Sequence, residues 1–180
     1  MNRKKAAVFL DRDGVINKKS PPHDYVKKWK EFEFLPGVFK AIRELNKKFL
    51  VIIITNQRGV GRGLISLADL ENIHAKMIKK LRRFGAKIDG IYICPHDIKD
   101  NCDCRKPKSG MLFRAAKDFK IDFSQSYIIG DSSIDIQAGK KVGSKTVLIN
   151  SPKSCFFSES KKEVDSDYIT SDLLEMEEII

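Results

Sequence analysis

Residues 6–17 of the chain read AAVFLDRDGVIN, a short apolar run that stops at two carboxylates, Asp11 and Asp13. A continuous apolar run is typical of a buried parallel strand, which would carry these acidic residues at the carboxyl edge of a sheet. In open α/β sheets that edge is where ligands bind. Two carboxylates on one side of an extended segment can share one metal ion or one substrate, although Asp-Gly sequences are also common in surface turns.

Two later segments repeat this pattern of an apolar run that ends in polar residues. The segment FLVIIITNQ ends in Thr55, Asn56 and Gln57, and the segment SYIIGD ends in Asp131, with Asp135 one helical turn further on. Apolar strands that alternate with helical patterns indicate a parallel sheet with helices on both faces. The sequence therefore predicts an α/β fold, a Rossmann-like three-layer α/β/α sandwich with a mostly parallel central sheet.

The rest of the chain fits this alternation of strands and helices. Ser66, followed three residues later by an aspartate, is a typical N-cap, and Gly85 provides a helix stop. The predicted strands are residues 6–10, 50–54, 90–94, 127–129 and 145–149, with a weaker one at 167–169. The predicted helices are residues 37–48, 67–84, 109–119, 135–142 and 172–178. Residues 151–167 are the least organised part of the sequence.

Length and charge bound the classes of protein to consider. A chain of 180 residues fits a single domain, residues 1–180, that can bury about two-thirds of its unfolded surface. Its 34 basic and 24 acidic residues give a net charge of +10, which suits phosphorylated substrates, but paired lysines on helices make the nucleic-acid signal weak. The first apolar run is too short for a signal peptide or a membrane span. We expect a cytoplasmic monomer without membrane contact.

The ordered set of DxDG, a strand-end threonine, a lysine and GDxxxD resembles the haloacid dehalogenase-like phosphatases over residues 6–149. The segments TNQxGxxRG and CPHxxxxxCDCRKPxxGM narrow this resemblance to the D-glycero-D-manno-heptose 1,7-bisphosphate 7-phosphatases and the closely related histidinol-phosphate phosphatases. Larger members of the superfamily insert a cap domain after the first or second motif. Residues 17–36 and 57–66 are short, so we expect no large cap domain.

The resemblance implies a phosphomonoesterase that works through an aspartyl-phosphate. Asp11 would be the nucleophile, Asp13 the general acid and base, Thr55 a hydrogen-bond donor to the phosphoryl group, and Lys106 a neutralising cation. Mg²⁺ suits oxygen ligands and bridges to phosphate. Its ligands would be Asp11, the carbonyl of Asp13, and Asp131.

Asp135 has several possible roles. It could support Lys106 or a metal-bound water, or it could act only as a favourable negative charge at the start of a helix. The commonest family pattern has a basic residue after the Gly-Asp pair, where this chain has Ser132.

Cysteines form a second group of candidate ligands. Cys94, His96, Cys102 and Cys104 lie within eleven residues, a set that suits a closed, tetrahedral, structural Zn²⁺ site in a loop over residues 94–104. Disulfides and unliganded thiols are the alternatives. Cys155 has no partner in the sequence and is expected to be a packed or free thiol.

Substrate recognition is expected from the loops around the nucleophile. Arg58 and Arg62 could face a distal phosphate or solvent, and Arg105 suits bidentate recognition of a phosphate or hydroxyl groups. His74, on a predicted helix, is expected to be a packing or surface residue. The predicted substrate-binding residues are His23, Asp24, Tyr25, Asn56, Gln57, Arg58 and Arg105.

Three substrates remain compatible with the sequence. The first expectation is the 7-phosphate of a heptose 1,7-bisphosphate, supported by GVGRG after TNQ and by GM after CRKPxx. The short cysteine loop also permits a histidinol-phosphate phosphatase. A polynucleotide 3′-phosphatase shares DxDG and a similar TNQ segment but lacks the cysteine motif. A non-catalytic metal-binding module is disfavoured because the five catalytic and metal residues are all present.

Overall fold

Six strands form one parallel sheet in the computed structural model, which describes residues 4–21, 24–150 and 164–179. The strands are β1 (Ala7–Leu10), β2 (Leu50–Asn56), β3 (Gly90–Cys94), β4 (Tyr127–Gly130), β5 (Lys145–Ile149) and β6 (Tyr168–Thr170). Their order is β3-β2-β1-β4-β5-β6, and each neighbouring pair is parallel. Strands β2 and β3 are added on one side of β1, and strands β4, β5 and β6 are then added on the other side. This reversal places a ligand crevice at the carboxyl ends of β1 and its neighbours.

Helices cover the sheet between the strands. The α-helices are α1 (Val38–Leu45), α2 (Arg58–Gly61), α3 (Leu67–Arg83), α4 (Gly110–Phe119) and α5 (Ser133–Val142). Short 3-10 helices span Trp29–Glu31, Ile98–Asp100, Phe123–Gln125 and Leu174–Glu178. Ser66 caps α3 by accepting a hydrogen bond from the amide of Asp69, as its sequence predicts.

Alternate side chains of the strands pack into two separate hydrophobic cores, one on each face of the sheet. Val8 and Leu10 of β1 join a core with buried residues of α1 and α3, whereas Ala7 and Phe9 join a core with residues of α4 and α5. This is the two-residue period of a strand buried on both faces. The predicted three-layer α/β/α sandwich is therefore confirmed.

The differences from the predicted elements lie at short segments and at helix ends, where α1 ends at Leu45, three residues before the predicted end. The helix predicted at residues 172–178 begins two residues later and is a 3-10 helix, over Leu174–Glu178. A segment this short gains few α-helical hydrogen bonds, so the tighter turn competes well. Helix α5 begins at Ser133, two residues before the predicted start, and α2 lies where a loop is expected.

Some sequence-based expectations cannot be placed on this fold. Cys155 and His23 lie outside the described residues. Within the described ranges, none of the helices has the length and apolar character needed to cross a membrane.

Candidate active site and cysteine cluster

The predicted catalytic residues meet at the carboxyl edge of the sheet. Asp11 directly follows β1, Thr55 lies at the end of β2, and Asp131 directly follows β4. They surround a cavity of about 350 Å³. The cavity is lined by Asp11, Arg12, Asp13, Lys19, Ser20, Pro21, Asp24, Tyr25, Val26, Thr55, Asn56, Arg58, Arg105, Lys106, Asp131, Ser132 and Ile134.

Lys106 lies at the centre of the buried charges. Its Nζ is 2.9 Å from Oδ1 of Asp11 and 2.6 Å from Oδ1 of Asp135, and it donates a 2.9 Å hydrogen bond to the carbonyl of Ile54. Asn56 fixes its backbone through hydrogen bonds of 3.1 and 3.2 Å. Burial alone would lower the pKa of Lys106, but the two carboxylates outweigh it and raise the pKa. Lys106 is therefore a fixed cation.

Asp135 contacts Lys106 directly, as the first of its possible roles requires. It also lies in the first turn of α5, where a negative charge is favourable. Ser132 is the N-cap residue of α5, and its hydroxyl donates a hydrogen bond to Oδ2 of Asp135. Ser132 thus helps to orient the carboxylate that faces the lysine.

Asp11 lies among charges that disfavour its ionised form. Burial raises its pKa to about 7 against the opposing effect of Lys106, and the nearby carboxylates of Asp135 and Asp131 raise it further. A second cation beside these acids would favour the carboxylate form. The site therefore has the electrostatic character of a cation-binding site.

Carboxylate oxygens of Asp11, Asp131 and Asp135 lie within 4.8 Å of one another. Oδ1 of Asp131 is buried without a hydrogen-bond partner, and Oδ2 lies 2.8 Å from Nζ of Lys19. Gly14 makes room for this carboxylate, because a Cβ on Gly14 would lie 2.0 Å from Oδ2 of Asp131. These oxygen donors and the free Oδ1 fit a hard cation such as Mg²⁺.

Asp13 is held by three side chains rather than by the lysine. Nη2 of Arg12 donates to both carboxylate oxygens at 2.8 and 2.9 Å, and Nε of Arg12 donates to Oδ1 at 3.2 Å. The amides of Asn17 and Gln57 each donate to Asp13 at 2.9 Å. Burial would raise the pKa of Asp13, but the Arg12 guanidinium and these hydrogen bonds together lower it. In the free site Asp13 is therefore a carboxylate with a fixed orientation.

His74 supports this arrangement from α3. Its Nε2 is 3.1 Å from Nη1 of Arg12, which is 1% exposed, and burial lowers the pKa of His74 to about 3, with Arg12 acting in the same direction. The histidine is therefore neutral and accepts a hydrogen bond from the guanidinium. Of the two roles expected for His74, a packing or a surface residue, its burial agrees with the first. Its link to Asp13 through Arg12 has no local sequence signal.

The predicted substrate-binding residues fall into two groups. Asp24, Tyr25, Asn56, Arg58 and Arg105 line the cavity. Gln57 is buried and donates hydrogen bonds to Asp13 and, at 2.9 Å, to Oγ1 of Thr55. Gln57 therefore orients the side chains of Asp13 and Thr55 rather than lining the cavity wall.

Lys19 lines the cavity but is not among the residues predicted from the sequence. Its ion pair with Asp131 joins residues 112 positions apart, and it depends on the path of the loop after β1. The only hint in the sequence is the lysine pair Lys18-Lys19, close to Asp11.

The four cysteine-motif ligands converge in space. Donor atoms of Cys94, His96, Cys102 and Cys104 lie within 4.8 Å of one another, and the separations between neighbours include 3.2, 3.4, 3.5 and 3.8 Å. Ligands around tetrahedral zinc, with bonds of about 2.3 Å to sulfur, lie about 3.7 Å apart. The cysteines are free, and sulfur separations of 3.4 and 3.5 Å exceed a disulfide bond. The donor set therefore fits zinc.

Comparisons with known proteins agree with this geometry. A family model described as HAD-hydrolase-like matches residues 103–176. The chain is 39% identical over 169 residues to the D-glycero-beta-D-manno-heptose-1,7-bisphosphate 7-phosphatase of Haemophilus ducreyi, covering 89% of this chain and 91% of that protein. It is 40% identical over 163 residues to the D-glycero-alpha-D-manno-heptose-1,7-bisphosphate 7-phosphatase of Campylobacter jejuni, covering 90% and 88%.

A solved structure is similar over nearly the whole chain. The crystal structure of D,D-heptose 1,7-bisphosphate phosphatase from B. bronchiseptica, complexed with magnesium and phosphate, aligns with a TM-score of 0.84 and 34% identity. The alignment covers 97% of each chain.

Proposed function

The chain belongs to the haloacid dehalogenase-like phosphatases, within the family of the D-glycero-D-manno-heptose 1,7-bisphosphate 7-phosphatases, and we propose that it removes the 7-phosphate of that bisphosphate with Mg²⁺. The observation that carries this proposal is the convergence of Asp11, Asp13, Thr55, Lys106 and Asp131 around one cavity. Because the relatives include enzymes named for the alpha anomer and enzymes named for the beta anomer, the preferred anomer is determined by experiment.

In the proposed reaction, an oxygen of Asp11 attacks phosphorus and the bond from phosphorus to the sugar oxygen breaks. Asp13 gives its proton to the departing alkoxide and then takes a proton from the attacking water. Hydrolysis of the aspartyl-phosphate releases phosphate and restores the Asp11 carboxylate. The low pKa of Asp13 in the free site suits the base step, and a phosphate dianion bound beside it would raise that pKa for the acid step.

Other residues would stabilise the phosphoryl group as it transfers. Lys106 would neutralise charge on the phosphoryl oxygens, and Thr55 would donate a hydrogen bond to one of them. Asp11, the carbonyl of Asp13, and Asp131 would hold Mg²⁺. The ion would supply positive charge next to the nucleophile and the phosphate.

We also propose that the cysteine loop, defined as residues 94–104, binds one structural Zn²⁺ through Cys94, His96, Cys102 and Cys104. Arg105 and Lys106 follow the last ligand directly, so this ion would fix the segment that carries both cations. The single domain, the cytoplasmic location and the monomeric state are part of the same proposal. The joining of all described strands in one sheet supports the first of these.

A substrate panel tests the proposed reaction. Phosphate release would be measured with Mg²⁺ for both heptose bisphosphate anomers, fructose 1,6-bisphosphate, histidinol phosphate and a 3′-phosphorylated oligonucleotide. We expect kcat/KM for one heptose anomer to exceed the others at least about a hundredfold, or about 2.7 kcal/mol of discrimination. If histidinol phosphate or the oligonucleotide is preferred instead, the proposed substrate is wrong, but the proposed aspartyl-phosphate mechanism still stands.

The Asp11→Asn variant tests the chemical mechanism. An amide of the same shape cannot act as the nucleophile, so we expect turnover to fall at least about a thousandfold. Circular dichroism and thermal unfolding would show whether the variant keeps the fold. A folded variant with most of its activity would contradict the assignment of Asp11.

A further inference from the structure

Two arginines of the cavity wall contact consecutive residues of the cysteine loop, one through an ion pair and one through a hydrogen bond. Nε of Arg58 forms an ion pair with Oδ1 of Asp97, and Nη1 of Arg105 donates a 3.4 Å hydrogen bond to the carbonyl of His96. Both arginines line the cavity that contains Asp11. The cysteine loop therefore holds two cationic side chains at the wall of one cavity.

Asp97 is itself held in a fixed position. Its side chain caps the 3-10 helix Ile98–Asp100, and its amide donates a 2.8 Å hydrogen bond to Oδ2 of Asp100. Helix α2, which begins at Arg58, packs directly on this segment. A Cβ on Gly61 would lie 2.7 Å from both the amide nitrogen of Asp97 and the carbonyl oxygen of Pro95. The two backbones are therefore in close contact, which leaves Arg58 little freedom relative to Asp97.

The guanidinium of Arg58 retains unused binding capacity. Only its Nε has a hydrogen-bond partner among the described residues, and its side chain is 32% exposed. A planar guanidinium with free terminal nitrogens suits the oxygens of a phosphate. The proposed reaction already accounts for Lys106 and Thr55 at the transferred phosphoryl group, but no step uses Arg58.

We infer that Arg58, held in place by Asp97, binds the second phosphate of a bisphosphate substrate and makes the enzyme prefer bisphosphates to monophosphates. This inference rests on the proposed function, because it assumes that the first phosphate reacts at Asp11. Asp97 acts as a positioning residue that orients the guanidinium. The paired carboxylate would also reduce the entropy lost when Arg58 binds phosphate.

The test compares kcat/KM for two matched pairs of substrates. One pair is the heptose 1,7-bisphosphate and the heptose 7-phosphate, and the other is fructose 1,6-bisphosphate and fructose 6-phosphate. In Arg58→Gln we expect the bisphosphate kcat/KM to fall about tenfold to a hundredfold, mainly through KM. The monophosphate kcat/KM should fall at most about threefold, so the preference for the bisphosphate collapses.

Two further variants separate positioning from general damage. Asp97→Asn keeps the helix cap but removes the charge, and we expect a smaller loss of bisphosphate preference, about threefold to tenfold. In the Arg58→Gln background the Asp97→Asn change should have no further effect on that preference, because its action passes through Arg58. Arg62→Gln is the matched control, since Arg62 is an exposed arginine of the same segment that does not line the cavity.

Several results would overturn the inference. These are an equal loss on both members of a pair in Arg58→Gln, no loss on either member, or the same loss of preference in Arg62→Gln. Additive effects of the two substitutions would remove the positioning role of Asp97. If the wild type acts best on fructose 1,6-bisphosphate, and Arg58→Gln loses the preference for it over fructose 6-phosphate, the inference stands and the heptose assignment is refuted. A wild type without bisphosphate preference in either pair overturns the inference.

Discussion

Lys19 and the proposed metal ion share one carboxylate. The ammonium of Lys19 lies 2.8 Å from Oδ2 of Asp131, whose side chain is only 4% exposed. Burial raises the pKa of Asp131, and Lys19 opposes that rise by stabilising the carboxylate. Because Lys19 already places positive charge beside Oδ2, it would compete with a Mg²⁺ held at the free Oδ1 for the negative charge of Asp131.

We therefore predict that Lys19→Met binds Mg²⁺ about twofold to fivefold more tightly than the wild type, the range for removing one partly exposed ion pair. Titration calorimetry without substrate measures this affinity directly. Lys18→Met is the matched control, because Lys18 is exposed and pairs with Glu33 at 3.7 Å, away from Asp131. Equal or weaker metal binding in Lys19→Met would contradict the competition.

His74 links the stability of the fold to pH. Its pKa is about 3 in the folded protein, against 6.5 for an unperturbed histidine, so the unfolded state binds the additional proton between these values. Stability contributed by neutral His74 is present above about pH 6.5 and is lost as the pH falls, by at most about 1.4 kcal/mol per pH unit.

The measurable consequence is a difference between the wild type and His74→Gln. Glutamine can still accept a hydrogen bond from Arg12 but does not titrate, so we expect its unfolding free energy to fall less between pH 6.5 and 4.5. Urea unfolding at several pH values provides the comparison. Parallel pH profiles for the two proteins would show that another group causes the loss.

At the scale of elements, the cysteine loop connects strand β3, the proposed zinc site and the two cations Arg105 and Lys106. It follows β3, supplies the four proposed zinc ligands, and runs directly into Arg105 and Lys106. The short distances between its donor atoms leave four sulfur and nitrogen ligands crowded together. A bound cation would stabilise this loop by favouring the thiolates.

We predict that removing zinc lowers both activity and thermal stability without removing a catalytic atom. Metal analysis of the purified protein should find one zinc per chain, and a chelator that removes it should lower kcat/KM and the unfolding temperature. Restoring zinc in the presence of Mg²⁺ should recover both. Full activity and stability in a preparation shown to lack zinc would contradict this role of the loop.

Helix α3 offers a stability test away from the cavity. Ser66→Ala removes the hydroxyl that accepts a hydrogen bond from the amide of Asp69, and we expect the unfolding free energy to fall by about 1 kcal/mol. Ser66→Asp should retain most of the stability, since aspartate caps helices well. Urea unfolding measures both changes, while kcat/KM should stay near the wild-type value. An alanine variant as stable as the wild type would show that water replaces the cap.

For the whole molecule, the sequence predicts the sheet and most of the site because both depend on the same local pattern. Apolar runs define the strands, and their polar ends bring Asp11, Thr55 and Asp131 to one edge. The contact between Arg12 and His74 could not be predicted this way, because it joins residues 62 positions apart and depends on how α3 packs. Lys19 could not be predicted for the same reason, because its ion pair with Asp131 joins residues 112 positions apart.

Shorter elements depend on tertiary contacts that the sequence does not display. Helix α2 contains two glycines in four residues, a composition typical of a loop, yet it forms where its backbone packs against the cysteine loop. Conversely, the helix predicted over residues 172–178 forms only as a 3-10 helix over Leu174–Glu178. The single domain and the monomeric state remain predictions.

The two-sided burial of β1 also limits how this protein can evolve. Val8 and Leu10 belong to one core and Ala7 and Phe9 to the other, and Asp11, the proposed nucleophile, comes immediately after them. Inserting or deleting one residue in this strand would exchange the contents of the two cores and shift Asp11 along the sheet edge. Changes in length within lineages of this protein should therefore collect in surface loops, whereas β1 should accept only substitutions that preserve side-chain volume.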